Sequence, residues 1–174
     1  MSTDGPAFDP SRLVEVLDRH GVDYLIVGGF GSQLHGATRQ TYDIDFVPSA
    51  TADNEARLAS ALDELGARLR IAGMTDEEAR QLPVVIDAAT LRAFGSTTWM
   101  TDAGPLDVLS ELPVAGGHRA FVDLEARSSN VEFSGVVVRL ASLDDIIDSK
   151  THADRPKDRE ALPELHNLRT QLEP

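Results

Sequence analysis

Apolar residues recur along this chain at two spacings, and the switches between them mark out its elements. Leu13, Val14, Val16 and Leu17 form a helical stripe behind Asp9-Pro10, a fitting N-cap and first helical position, and Gly21 ends the helix. Val22 to Val27 is almost continuously apolar, as a central strand covered on both faces should be. Phe30 to His35 reads as a short helix closed by Gly36, and Thr41 to Val47 as a second strand stopped at Pro48-Ser49. Thr51 caps a helix from Ala52 to Leu65, with Leu58, Ala61, Leu62 and Leu65 on one side and Gly66 beyond its end.

The second half carries shorter signals. Ala67 to Ile71 predicts a short strand, Gly73 to Pro83 a loop or one exposed helical turn, Val84-Val85-Ile86 a short buried strand, and Asp87 the cap of a helix through Phe94. Thr97 to Thr101 is β-branched and aromatic, Asp102 to Pro105 is turn chemistry, and Leu106 to Leu109 opens the next strand, which predicts a hairpin. Residues 119 to 130 read as helical with Phe121 and Leu124 inward, and Val136 to Leu140 as a strand, set at an edge by Arg139. Ser142 starts a helix with Asp144 and Asp145 at the positive end of its dipole. A last helix from Pro156 or Asp158 runs through Leu162, Leu165, Leu168 and Leu172, restricted early by Pro163. The sum is an α/β protein with a mixed sheet of about five strands and packed helices. Residues 1–140 form the core and 141–174 a small C-terminal helical element packed on it, in one compact domain.

The chemistry concentrates between residues 25 and 47. Side chains alternate along a strand, so Asp43 and Asp45 project from one side while Ile44 and Phe46 project from the other. Two like charges held side by side are stable when a cation lies between them or one takes up a proton. Hard oxygen ligands favour Mg²⁺ or Mn²⁺, and a pair of such ions can clamp a phosphoryl group in transfer. Gly28 and Gly29 let a ligand approach the backbone closely, and the amides that follow can receive phosphate oxygens. Together they point to a triphosphate beside a metal.

The order apolar strand, Gly28-Gly29, short helix, Asp43-Ile44-Asp45 resembles the nucleotidyltransferase (polymerase β-like) superfamily. The fuller string, with His35-Gly36, Arg39 and Thr41 between the glycines and the acids, is similar to the bacterial nucleotidyltransferase toxins of the abortive-infection (AbiEii) and MenT type. The resemblance implies the nucleotidyltransferase fold and a third carboxylate on a neighbouring strand flanked by apolar residues. Asp107 matches that position, with Asp102 and Glu111 as competitors. A second string, Leu143-Asp144 to Lys150 followed by Arg155-Pro156-Lys157-Asp158, resembles the same toxins; it implies that Lys150 contacts nucleotide phosphates and that Asp158 lies at the active site. The lysines' scarcity agrees, since only Lys150 and Lys157 occur among 16 basic residues, and a compact ammonium suits a triphosphate. The alternative is a solvated helix end with Lys150 and Arg155 completing the dipole.

Other residues carry two readings each. Arg39 either neutralises phosphate charge or pairs with Asp43 or Asp45. His35, closing a short helix, is structural rather than a base, and Trp99 is core rather than a stacking platform. Thr41 shares the face of Asp43, so a phosphate on its hydroxyl would set about −1.5 to −2 charge beside the acids and block metal and nucleotide; the plain reading is a β-branched strand residue. No Gly-x-x-x-x-Gly-Lys-Ser/Thr string occurs, and Gly29 to Leu34 lacks the third glycine of a dinucleotide fingerprint.

Composition narrows the partners. With 16 basic and 29 acidic residues the formal charge is −13, so the overall field opposes nucleic acid. Any tRNA contact must use a local patch such as Lys150, Arg155, Lys157 and Arg159, with Arg39 nearby. The absence of cysteine excludes disulfides, thiolate zinc sites and cysteine nucleophiles. Met1-Ser-Thr-Asp-Gly-Pro-Ala has neither a basic nor an apolar targeting segment, and no apolar run approaches membrane-spanning length, so a cytoplasmic protein with no membrane partner is expected. The expected function is metal-dependent transfer of a nucleoside monophosphate from an NTP to an acceptor hydroxyl. The toxin resemblance implies a tRNA 3′ end as acceptor and a cognate antitoxin protein as partner. Transfer to a small molecule such as an aminoglycoside, or a catalytically silent partner-binding module, are the alternatives.

Overall fold

In the computed structural model, which describes residues 6–172, the first helix α1 (Pro10–Arg19) begins where the sequence places it: the Asp9 carboxylate accepts the Arg12 N–H at 3.0 Å. The N-terminal stretch read above for targeting signals falls mostly in residues 1–5, outside the described residues. Then follow β1 (Tyr24–Val27), α2 (Gly28–Leu34), β2 (Ile44–Pro48), α3 (Ala52–Glu64), β3 (Arg68–Leu69), α4 (Asp76–Arg80) and α5 (Ala88–Phe94). The second half comprises β4 (Thr97–Thr101), β5 (Gly104–Val108), β6 (Leu112–Val114), β7 (Gly117–Arg119), α6 (Phe121–Glu125), β8 (Ser129–Phe133), β9 (Val136–Leu140), α7 (Leu143–Ala153) and α8 (Pro156–Leu172).

The main sheet has seven strands rather than about five, in the order β3-β4-β5-β2-β1-β9-β8, and β6 with β7 forms a separate hairpin. It is mixed: β1 lies antiparallel to β2 and parallel to β9, and β2 lies parallel to β5. Strand alternation sorts the residues onto two faces. Ile26, Ile44, Phe46, Trp99, Leu106 and Val108 meet α1, α3 and α5 in one core. Leu25, Val27 and Val47 meet α6, α7 and α8 in the other, through Phe121, Leu124, Ile146, Ile147 and Leu165. No residue of β4 or β5 belongs to this second core, so that part of the face stays free of helices. Asn54, fully buried, ties α3 to the strand ends by accepting the Asp23 N–H at 2.7 Å and donating to the carbonyls of Asp23 and Ser49.

Several expectations are corrected. The second strand starts at Ile44, so Asp43 stands on the bend just before it. Val84 to Ile86 is not a buried strand: it pairs with no neighbour, the Val84 N–H bonds back to the Leu82 carbonyl, and Val85 is 68% exposed. The helix expected over 119 to 130 shrinks to α6, because residues 129 to 133 pair with β9 as β8. β9 is interior rather than an edge; Arg139 is accommodated there by ion pairs to Asp23 and Glu125 and by its position 5.8 Å from the Phe121 ring centroid. The extent of the last helix is as expected, Pro156 to Leu172 with Pro163 inside it.

Asp145 anchors the start of α7. Its carboxylate, fully buried, accepts from Arg119, Arg127 and the Ser142 hydroxyl, which joins β7, the end of α6 and α7. Removing a buried ion-pair partner leaves the remaining charges without compensation, although both arginines here reach solvent. Asp145→Ala should therefore lower the unfolding free energy by about 2 to 3 kcal/mol in urea titration, and a loss under about 1 kcal/mol would contradict this account.

Candidate active site

Asp45 faces the helix-poor part of the sheet because Ile44 and Phe46 are committed to the other core. In the parallel register of β2 and β5, Asp45 lies directly opposite Asp107, and Asp43 reaches the same place from the bend. One carboxylate oxygen from each of Asp43, Asp45 and Asp107 lies within 4.8 Å of the others. Of the competitors, Asp102 is drawn away by ion pairs to Arg68 at 2.9 Å and Arg80 at 3.2 Å, and Glu111 is exposed on the loop after β5.

The triad is electrostatically unsatisfied. Burial, with the charges of Asp43 and Asp107 added, pushes the Asp45 carboxyl up to about 7. Burial also pushes Asp107 up, with Asp43 adding to it and the Thr98 hydroxyl opposing it. Asp107 Oδ1 is buried with no hydrogen-bond partner. A buried lone pair facing two other carboxylates fits a divalent cation, whose oxygen ligands would be Asp43, Asp45 and Asp107.

Gly28 and Gly29 complete one wall. Gly28 has φ +65°, and a Cβ there would collide with the Asp45 carboxylate; a Cβ on Gly29 would lie 2.9 Å from the Thr41 hydroxyl. No side chain caps the N-terminus of α2. The Thr41 hydroxyl donates to Asp43 Oδ1 at 2.5 Å and so orients that carboxylate. His35 is structural, its Nε2 lying 2.8 Å from the Ala141 carbonyl, and Trp99 is fully buried.

Opposite stand the side chains of α7 and α8. The cleft, of about 690 Å³, is lined by the triad, Gly28, Gly29, Arg39, Arg70, Lys150, Arg155 and Lys157. Both lysines of the chain therefore lie here. Arg39 pairs with Glu160 at 2.8 Å rather than with Asp43 or Asp45. Arg159 pairs with Asp154 at 2.8 Å and stays outside the cleft lining. Asp158 is fully buried, with no surface of its own in the cleft; it accepts from Arg155 Nε at 2.6 Å and lies 3.5 Å from Lys150 Nζ. Burial alone would raise its carboxyl, but Arg155, with Lys150 behind it, holds it below the ordinary range. Its geometry is that of a residue that fixes two cations at the cleft wall.

Arg70 escaped the sequence reading. It follows β3, and its N–H bonds the Thr98 carbonyl, while Thr98 lies opposite Asp107. Only the cross-strand register reveals that Arg70 belongs to the carboxylates' row. A second hollow, of about 760 Å³ between α3, the α4–α5 segment and β4, contains none of these residues; its buried cation, Arg68, is committed to Asp76 and Asp102.

The triad predicts an unusual pH response. Because the folded-state value of Asp45 lies above its unfolded value, the stability it contributes is fully present below about pH 4 and is lost as pH rises towards about 7. In metal-free protein, melting temperature should fall across that window through this group. Asp45→Asn should flatten the fall, and Mg²⁺ should raise the melting temperature of wild type at about pH 8 but not that of Asp45→Asn. Equal responses to Mg²⁺ in both proteins would remove the triad as the metal site.

No protein-family model matches the chain, and no curated protein matches it. Solved structures do. The lincosamide antibiotic adenylyltransferase LnuA, in its lincomycin-bound structure, aligns with a TM-score of 0.59 at 15% identity over 93% of this chain and 99% of that one. ANT(2″)-Ia in complex with adenylyl-2″-tobramycin aligns with a TM-score of 0.54 at 16% identity over 92% of each chain. TM1012 from Thermotoga maritima, a candidate nucleotidyltransferase, gives 0.53 at 15% identity over 93% of this chain and 96% of its own. This chain thus has the α/β fold of nucleotidyltransferases, with a mixed sheet of seven strands.

Proposed function

We propose that the protein is a metal-dependent nucleotidyltransferase that moves a nucleoside monophosphate from an NTP to an acceptor hydroxyl. The observation that carries this reading is the convergence of Asp43, Asp45 and Asp107, with Asp107 Oδ1 left without a partner, in a cleft whose opposite wall bears Lys150, Arg155 and Lys157. Acids alone would repel a triphosphate, and cations alone would hold it without activating it. Side by side they match a magnesium nucleotide.

In this reading Gly28 and Gly29, by leaving room for Asp45 and Thr41, bring the backbone at the start of α2 up to the phosphates, and Lys150, Arg155 and Lys157 neutralise them from the helix side. Mg²⁺ or Mn²⁺ held by the triad supplies charge stabilisation at the α-phosphate and eases loss of the acceptor proton. The acceptor oxygen bonds to the α-phosphorus, the bond to the bridging oxygen breaks, and pyrophosphate departs with that electron pair while a triad carboxylate receives the proton. Asp158 acts through the two cations that it positions. Arg39 lies at the rim and assists the phosphates once released from Glu160. A phosphate on Thr41 would break its bond to Asp43 and crowd the glycine wall, a route to control of the enzyme.

The leading acceptor is an RNA 3′ end, that of a tRNA, because the cleft gathers basic residues in an otherwise acidic chain; the resemblance to the toxins adds an antitoxin protein as regulator. The second reading, a small cationic acceptor such as an aminoglycoside, is favoured by the formal charge of −13. Among the described residues no helix is long and apolar enough to cross a membrane.

Label transfer from α-labelled NTPs with Mg²⁺ to total tRNA, and separately to a panel of small hydroxylated acceptors, tests the reading. Transfer should be lost with Asp43→Asn. Lys150→Ala should raise the KM for NTP about tenfold or more, the size of one charge-assisted phosphate contact. Absence of transfer to every acceptor, together with absence of Mg²⁺-dependent NTP binding, would refute an enzyme here.

A further inference from the structure

The basic residues of the cleft differ in how they are held. Lys150 and Arg155 share Asp158, and Arg39 pairs with Glu160. Arg70 and Lys157 have no ion-pair partner among the described residues, yet both line the cleft. Lys157 stands on the helix side with the proposed triphosphate contacts. Arg70 stands at the other end, on the far side of Asp107.

The sheet register fixes that separation. Reading across neighbouring strands, Arg70 is hydrogen-bonded to Thr98, Thr98 lies opposite Asp107, Asp107 opposite Asp45, and Asp45 opposite Val27, which precedes the glycine pair. With strands about 4.7 to 4.9 Å apart, Arg70 is several strand widths from Gly28. Between them lies the floor of β4 and β5 that no helix covers. A triphosphate engaging Gly28 and the α7 and α8 cations occupies one end of this row, and the remaining end, beyond Asp107, is open to a second substrate.

We infer that Arg70 is the acceptor-side anion contact, binding a backbone phosphate next to the attacking hydroxyl, so that the acceptor is the 3′ end of a polynucleotide and not a cationic small molecule. This rests on the nucleotidyltransferase reading and adds to it a residue that decides acceptor class. An exposed arginine facing the floor would repel a polyamine-like acceptor at the point where it must enter. For a polynucleotide it offers a planar fork matched to a phosphate.

The test is equilibrium binding of a fluorescein-labelled, short single-stranded RNA with a free 3′ hydroxyl to wild type, Arg70→Glu and Arg70→Lys, read by anisotropy across a salt series. Mg²⁺-dependent NTP binding to the same three proteins is measured separately. Arg70→Glu should weaken RNA binding about tenfold and lower the salt slope by about one, and Arg70→Lys should retain most of the affinity. NTP affinity should be the same in all three. An equal loss of NTP affinity would move Arg70 to the nucleotide and overturn the inference. So would unchanged RNA binding by Arg70→Glu, lack of RNA binding by wild type, or tighter binding of tobramycin by Arg70→Glu with no RNA binding by any form. Failure of NTP binding in every protein, with Arg70-dependent RNA binding intact, would instead strike the transferase reading and leave the anion contact standing.

Discussion

Mutual repulsion among Asp43, Asp45 and Asp107 is the constraint on which the site depends. Three carboxylates within a few ångströms, partly removed from water, cannot all carry charge unless positive charge joins them. Arg68 and Arg80 do not relieve this: they line the other hollow and are held on Asp76 and Asp102. Lys157 and Arg155 on the side of Asp45, and Arg70 on the side of Asp107, act without a direct ion pair to the triad and only moderate the field. The fold thus keeps a local charge imbalance in place, and its tight packing elsewhere holds the strands together against it.

The opposite wall is organised by burial instead. Asp158 is sealed beneath Lys150 and Arg155, so its carboxylate is kept out of the cleft while its charge still orients two cations. Asp145 does the equivalent at the start of the same helix by gathering Arg119 and Arg127. α7 is fixed at one end by a buried acid that stabilises the fold, and at the other by a buried acid that arms the cleft.

Much of this was legible in the sequence, for identifiable reasons. α1, α3, α5 and α7 announce themselves by caps at Asp9, Thr51, Asp87 and Ser142, each of which accepts a backbone N–H as its residue type suggests. Asp45 was visible because strand alternation sets it apart from Ile44 and Phe46 in an otherwise apolar run; Asp43 reaches the same place from the bend before β2, outside the alternation that pointed to it. What escaped was long-range or edge-like. β8 is polar and mostly exposed, so its alternation of Val131 and Phe133 is faint; the Ser134-Gly135 pair, both at positive φ, was the overlooked hairpin signal. β9 was set at an edge because of Arg139, a rule that fails when acids from other elements meet the guanidinium. Arg70 could not be read at all without the β3-β4-β5 register.

β1 illustrates a different consequence of the same architecture. Its partner on one side, β2, follows within a few tens of residues, but its partner on the other, β9, is drawn from the far end of the chain. Pairing of this kind closes a long loop before it yields stabilising contact, which slows folding. Until β9 docks, Tyr24 to Val27 is an apolar strand with one edge unprotected, a template for pairing with other chains. As the chain is synthesised, the helices that supply Lys150 and Lys157 emerge only after β9, so the strand that shields the core from aggregation is made before the cleft can be complete.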